Sequence, residues 1–249
     1  MPDLWDVLLL AAAAFGAGML NSAAGGGSFL TLPALVFVGL PPAMANATGT
    51  LALLPGYFSG AWAFRRDLVI LPRSRLLNVC ILGMVGGIAG AALLLVTPAE
   101  VFRGIVPWLL LVATVIFMLG PLLVKKRAAT PAADQRQSVG LLAVSIYGGY
   151  FNGGIGIMLL ALFGLAGTYT LNTMNGLKNL ASGVLTIVAV VIYIAGGLIA
   201  WRETGIMMLF ATLGGYIGGR LASRISTTIL RILVVSVGLI MTGLMFVFG

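Results

Sequence analysis

Apolar residues run along this chain in about ten stretches, near 4–22, 27–40, 43–63, 75–96, 100–123, 138–152, 155–169, 171–194, 204–223 and 227–248. Polar and charged residues are confined almost wholly to the joins between them. A run of roughly twenty residues that is apolar all round predicts a helix crossing a bilayer whose hydrocarbon core is about 30 Å thick. The second, sixth and seventh runs are short for that, and predict segments that are tilted, broken or re-entrant.

Inside this pattern one stretch is out of place. Gly18-Met19-Leu20-Asn21-Ser22-Ala23-Ala24-Gly25-Gly26-Gly27-Ser28-Phe29-Leu30 sets an amide, two hydroxyls and three consecutive glycines where a helix is expected to continue. A related stretch, Gly148-Gly149-Tyr150-Phe151-Asn152-Gly153-Gly154-Ile155-Gly156, follows about 130 residues later. Three further pairs keep the same order. Asn46 answers to Asn175, the Gly86–Gly90 stripe to Gly214–Gly218, and Arg103 to Arg231. With Asn21 matched to Asn152, the offsets are 131, 129, 128 and 128 residues. Four anchors in one order predict an internal duplication. The division is a first membrane repeat at 1–123, a cytoplasmic linker at 124–137 and a second repeat at 138–249. Each half holds five apolar runs, an odd number, so the halves are expected to insert with opposite orientation.

Composition names the solvent. Of 249 residues 60% are hydrophobic and 8% charged, and the mean hydropathy is +1.13. Soluble domains carry about a quarter charged residues. A chain with this little polar surface is expected in lipid, as an all-α polytopic membrane protein. Its net charge of +8 lies between the apolar runs, which leaves no basic face for nucleic acid. Arg65, Arg66, Arg73 and Arg75 (with Asp67) follow the third run. Lys125, Lys126, Arg127 and Arg136 (with Asp134) follow the fifth, and Arg220 and Arg224 join the ninth to the tenth. Traced through ten crossings, all three clusters fall on one face, which the positive-inside rule makes cytoplasmic. The acidic N-terminal segment, the Thr97–Glu100 turn and the Arg202-Glu203 pair fall on the other. Both termini are therefore expected outside the cytoplasm, with the first apolar run kept as a span rather than cleaved.

Candidate chemistry is sparse. Gly25, Gly26 and Gly27 before Ser28, and Gly153, Gly154 and Gly156, can open a helix at mid-membrane. An opened helix exposes backbone N–H groups at an end carrying about half a positive charge, an anion site without a charged side chain. Asn21 and Asn152 add amide donors. The competing reading is close packing, since small residues let membrane helices approach. Lys178 is the one basic residue deep in a run. A cation there costs at least about 2.5–3.5 kcal/mol, so it predicts either a counter-charge for an anionic substrate or a lysine held by backbone carbonyls. Its repeat mate is Gly49. Asn46, Thr48 and Thr50, with Asn175 and Asn179, put hydrogen-bonding groups on the two matching runs, for substrate or for a neighbouring helix. The Gly83–Gly90 and Gly214–Gly219 stripes read as packing, Arg103 and Arg231 as snorkelling cations, and Trp5, Trp62, Trp108 and Trp201 as interfacial anchors.

Absences narrow the chemistry further. The six acids, Asp3, Asp6, Asp67, Glu100, Asp134 and Glu203, all fall in joins or at run ends, and there is no histidine. That disfavours a carboxylate or imidazole proton relay, a metal or haem cofactor, and a nucleophile–base pair. Cys80 is the single cysteine and stands alone in an apolar run.

With these residues in view the chain resembles the TauE/SafE sulfite exporter family, also called the toluene-sulfonate uptake permease family. The resemblance spans nearly the whole chain. It rests on Gly18–Leu30 followed by Pro33, on Ala47-Thr48-Gly49-Thr50, on Asn175-Gly176-Leu177-Lys178-Asn179, and on the Gly-rich runs at 83–90 and 214–219. It implies a carrier in the bacterial inner membrane for a small sulfur-containing anion such as sulfite, sulfoacetate or another organosulfonate, working as exporter or as uptake permease. An anion channel is the next reading, and a membrane-embedded enzyme the third.

Overall fold

The computed structural model describes residues 3–23, 25–123, 131–165, 169–221 and 227–248. Among them are eleven helices and no strand: α1 (Leu4–Ala23), α2 (Ser28–Phe37), α3 (Pro42–Ala63), α4 (Arg65–Val69), α5 (Arg73–Val96), α6 (Ala99–Leu123), α7 (Pro131–Tyr150), α8 (Ile155–Leu165), α9 (Leu171–Ala195), α10 (Trp201–Leu221) and α11 (Thr227–Phe248). Ten of these answer to the ten apolar runs, and α4 is a short connector. α7 begins earlier than its apolar run, so residues 131–137 of the stretch read as linker are helical. Lys125, Lys126, Arg127 and Arg224 lie outside the described residues.

Among the described residues four helices are long and apolar enough to cross a membrane: Leu4–Ser22, Arg73–Val96, Ala99–Ile116 and Leu171–Ala195. At 1.5 Å per residue the 24 residues of α5 span about 36 Å. Leu77, Ile81, Val85, Ile88 and Leu93 stand exposed along it, an outer face suited to lipid and to nothing aqueous. Starts follow local chemistry. Pro42 occupies the first position of α3, where its missing N–H costs nothing, and the Thr170 hydroxyl caps α9 by accepting the Thr173 N–H at 3.2 Å.

The two short helices are the return arms of hairpins. α1 ends with Gly25 at φ +83°, whose N–H bonds the Leu20 carbonyl at 3.0 Å. Only glycine takes that left-handed turn without strain. α2 then runs back along α1, so closely that a β-carbon on Gly27 would lie 2.6 Å from the Ala17 oxygen. The second hairpin does the same. α7 ends at Tyr150, Gly154 turns at φ +73°, and α8 returns with Ile155 against Gly148 and Leu162 against Gly140. With ten and eleven residues, α2 and α8 each reach about 15 Å, half a bilayer.

The glycine stripes pack helices, as read from sequence, but across the halves of the chain. Gly18 of α1 meets Ala211 and Gly215 of α10, Gly214 meets Phe15, and Gly218 meets Met19, so α1 and α10 run in the same direction in close contact. On the other side Gly86 meets Ser145, Gly90 meets Ile146 and Gly149 meets Gly87, which sets α5 along α7 in the same way. Gly83 and Gly87 also abut Ala181 and Leu185 of α9. One bundle is therefore α1, α2, α3 and α10; the other is α5, α7, α8 and α9. Each takes one of its three long helices from the opposite half of the sequence. They meet where α3 and α9 cross antiparallel, with Gly60 on Asn179, Tyr57 on Gly183 and Phe64 on Gly176. α6 and α11 pack on each other, with Gly238 against Thr114, and flank the bundles.

Candidate functional site

The two glycine-rich breaks meet in the interior. A β-carbon on Gly25 would lie 2.8 Å from the Cα of Gly156, and one on Gly156 would lie 2.7 Å from the Cα of Gly25. Gly156 belongs to the first turn of α8. Reciprocally, Ser28, the first residue of α2, donates its hydroxyl to the Asn152 carbonyl at 2.8 Å. Each break thus rests on the opening turn of the other hairpin's return helix. The N-terminal ends of α2 and α8, both positive by their dipoles, converge there.

The α7–α8 break is held by the side chains of Asn46, Tyr57, Tyr147 and Tyr193. Asn46 of α3 donates to the Tyr150 carbonyl at 3.2 Å and accepts the Asn152 N–H at 3.3 Å. The Tyr147 hydroxyl donates to the Gly153 carbonyl at 2.8 Å, and the Tyr193 hydroxyl to the Gly149 carbonyl. The Tyr57 hydroxyl donates to Asn152 Oδ1 at 3.5 Å, and Asn21 faces the same hydroxyl. These bonds supply the freed carbonyls of an interrupted helix, which lipid cannot do.

Several buried atoms have no such partner. Among the described residues they are Lys178 Nζ, Asn152 Nδ2, Gln137 Nε2 and the hydroxyls of Thr31, Ser145, Ser182 and Thr186. More than nine in ten buried polar groups in folded proteins are hydrogen-bonded, so seven open ones need a reason. The three nitrogens can only donate. Among the described residues no carboxylate answers them: Asp3, Asp6, Asp67, Glu100 and Glu203 all stand in joins or at helix ends. Lys178 is 1% exposed, two turns into α9, flanked by the apolar Leu177 and Ala181 of the α4–α5–α7–α8–α9 core.

The structure thus brings together Asn21, Gly25, Ser28, Asn46, Asn152, Gly153, Gly154 and Gly156, with Gly26 and Gly27 buried in the same turn. It engages others elsewhere. The Thr48 hydroxyl accepts the Ala200 N–H at 3.0 Å, at the start of α10. Thr50 bonds back to the Asn46 carbonyl at 2.7 Å, and Asn175 back to the Leu171 carbonyl at 3.1 Å, each within its own helix. Asn179 sits at the α3–α9 crossing beside Gly60. The pairing of Asn21 with Asn152 needs correcting. Asn21 lies inside the last turn of α1, whereas Asn152 lies beyond the end of α7, in the break itself. Counted from Ser28 and Ile155, the first residues of the return helices, Gly25 stands level with Asn152, and the left-handed turns pair Gly25 with Gly154.

Sequence reasoning passed over Tyr57, Tyr147, Tyr193, Ser182 and Thr186. The signal was present. Tyrosine belongs at membrane interfaces, and one in mid-run needs a buried partner for its hydroxyl.

At the N-terminal ends of α5 and α9 a recess of about 440 Å³ is lined by Leu71, Pro72, Ser74, Arg75, Asn78 and Tyr169. The Arg75 guanidinium donates to the Tyr169 hydroxyl at 2.8 Å and to the Gln137 carboxamide, and Asn78 donates to Ser138 at 2.9 Å.

Comparison with known proteins adds a second line of observation. The family model described as Sulfite exporter TauE/SafE matches residues 10–245. The chain is 29% identical over 234 residues to a probable membrane transporter protein, YfcA, of Escherichia coli strain K12, covering 91% of this chain and 84% of that one. It is 30% identical over 244 residues to a probable membrane transporter protein of Haemophilus influenzae, covering 93% and 91%. A probable membrane transporter protein, ORF9, of a Sinorhizobium species is 31% identical over 246 residues, covering 96% and 92%. No solved structure matches.

Proposed function

The chain belongs to the TauE/SafE sulfite exporter family and is a multi-pass membrane transporter, and from that premise we propose that it carries a small sulfur-containing anion across the bacterial inner membrane by alternating access. The observation that carries this reading is the pair of buried donors left open, Asn152 Nδ2 in the break where two helix N-termini converge and Lys178 Nζ on α9. Donors without acceptors suit a ligand made of acceptors. A sulfite or sulfonate group offers three oxygens and negative charge, and such charge-assisted bonds are roughly twice as strong as neutral ones. Asn21, Ser28, Asn46 and the glycines of both breaks form the rest of this site, with Asn179 at its edge.

The architecture proposed around it is a pair of five-segment repeats, 1–123 and 138–249, inserted with opposite orientation and joined by a cytoplasmic linker at 124–137. Its support is the reciprocity of the contacts: α1 on α10 mirrors α7 on α5, and each break rests on the other's return helix. A hairpin that enters and leaves by one side changes nothing, so three full crossings per half remain, an odd number. Both termini then lie outside the cytoplasm, and the Arg65–Arg75 segment inside. In a Cys80→Ala background, an impermeant thiol reagent applied from outside should label a cysteine placed at Arg202 and spare one placed at Arg66. The reverse pattern overturns the orientation.

The functional reading is tested on purified protein against sulfite, sulfate, thiosulfate, sulfoacetate and taurine. At least one sulfur oxoanion should raise the melting temperature in a concentration-dependent way, as any ligand selective for the folded state does. In liposomes the same anion should show saturable flux that is accelerated by anion on the far side. Flux without saturation or trans-acceleration points to a channel instead. No response to any of the five compounds in either assay removes the sulfur-anion reading.

A further inference from the structure

Lys178, Ser182 and Thr186 stand at positions i, i+4 and i+8 of α9, and so on one face of that helix. All three are buried, at 1%, 0% and 0% exposure, and none of their side-chain polar atoms has a partner. Thr31 of α2 and Ser145 of α7 are open in the same way, but neither has a second open group three or four residues away along its helix. Thr50, Thr114 and Thr242, equally buried in helices, bond back to the carbonyl four residues earlier at 2.7 Å. That back-bond is the usual way a helical threonine satisfies itself in an apolar setting. Ser182 and Thr186 forgo it, so their hydroxyls are left for something else.

The ends of this row are also informative. At the N-terminal end of α9 lies the recess that contains Arg75 and Tyr169, with the buried Gln137 Nε2 open beside it. Towards the other end α9 presents Gly183 to Tyr57, whose hydroxyl holds Asn152, and Tyr193 to the Gly149 carbonyl. The helix that carries the row therefore leads from the side of a cationic recess to residues that hold the α7–α8 break. Successive members are about 6 Å apart along the axis, close enough for an ion three or four ångströms across to pass from one to the next.

We propose that the Lys178–Ser182–Thr186 face of α9 is the cytoplasmic half of the substrate pathway, and that its two hydroxyls are specificity-determining contacts for a tetrahedral or pyramidal oxoanion. The proposal rests on the anion-transport reading above and goes beyond it in naming the route and two residues on it. Lysine supplies charge at the entrance. The hydroxyls supply directional donors that an oxoanion meets with separate oxygens. Between anions they take over one another's position without a covalent step.

Cysteine accessibility tests the route without knowledge of the substrate. In a Cys80→Ala background, Ser182→Cys and Thr186→Cys are exposed to a negatively charged and a positively charged methanethiosulfonate of similar size. The anionic reagent is expected to label both positions, at least about tenfold faster than the cationic one, and Lys178→Met should erase most of that preference. Two sealed cysteines overturn the route while leaving the anion reading to its own binding assay. Labelling with no preference, or a preference for the cation, overturns the route as an anion path and counts against the anion reading as well. Ser182→Ala and Thr186→Val provide the second measurement. Each should lower kcat/KM for the transported anion about tenfold, the loss expected when one bond to a charged acceptor goes. Neither should lower the melting temperature, because an unpartnered buried hydroxyl is being removed. Wild-type flux in both variants, or lost stability with unchanged kcat/KM, reduces the two residues to packing.

Discussion

Replacing Lys178 with methionine should weaken substrate binding by about 10- to 150-fold while leaving the protein at least as stable as before. Methionine keeps most of the stem length and deletes the charge. A hydrogen bond to a charged group contributes about 1.5–3 kcal/mol, which is that range of affinity. The stability half of the expectation follows from the environment. Lys178 is 1% exposed, its ammonium has no hydrogen-bond partner, and Leu177 and Ala181 beside it belong to an apolar cluster. A cation so placed carries a desolvation cost that no protein acceptor offsets, so its removal is neutral or favourable. A lysine kept for structure predicts the opposite pairing, a lowered melting temperature with affinity unchanged in the protein that survives. Lys178→Arg separates charge from shape: the planar guanidinium restores the first without the second, and recovery should be partial. Binding and melting curves on the same three preparations decide the matter. Full affinity in a well-folded methionine variant would remove Lys178 from the site and leave the two helix N-termini to hold the anion.

How much of this was legible beforehand depends on the range of the interaction involved. Helix positions followed from apolar runs because burial in lipid is a local demand on every residue. The second and seventh runs already stood out as short for a bilayer, and in the structure they hold helices of ten and eleven residues that fold back as hairpin arms. The stripes at Gly83–Gly90 and Gly214–Gly218 announced close helix contact, but not its partners. That α10 packs on α1, and α5 on α7, depends on contacts between residues far apart in the chain, and glycine carries no mark of whom it faces. The same blankness misaligned Asn21 with Asn152. Through a run of glycines no side chain marks where a helix ends, so the amide match gave no sign that Asn21 stays inside α1 while Asn152 lies beyond α7. Thr48, Thr50 and Asn175 illustrate a different gap. Their hydroxyls and amide can serve a ligand or a backbone group equally well, and only the packed structure shows them turned to Ala200, Asn46 and Leu171. Lys178 was legible because a buried cation is costly enough to need a reason wherever it sits.

Gly156→Ala should abolish transport with a single added methyl group. The added β-carbon would lie 2.7 Å from the Gly25 Cα and 2.8 Å from its carbonyl oxygen. Both are backbone atoms of a turn that has little room to yield, because Gly25 is itself at φ +83° and bonded to Leu20. Overpacking of this kind typically costs about 1–3 kcal/mol. The loss of function should exceed the loss of stability. The contact is where one hairpin rests on the other's return helix, so parting it by even an ångström moves the N-terminus of α8 away from that of α2 and breaks the shared donor site. Transport should fall to background while a lowered but cooperative melting transition remains. Gly25→Ala adds a left-handed backbone penalty to the same clash and should be worse. Gly104→Ala is the control, an equally small change on α6 where a β-carbon would meet nothing within 4 Å. It should transport and melt as the unaltered protein does, with any shift upward, since alanine favours a helix over glycine by about 1 kcal/mol. If Gly156→Ala transports as well as Gly104→Ala, the crossing of the two breaks is only a packing contact, and the anion must bind elsewhere along α9.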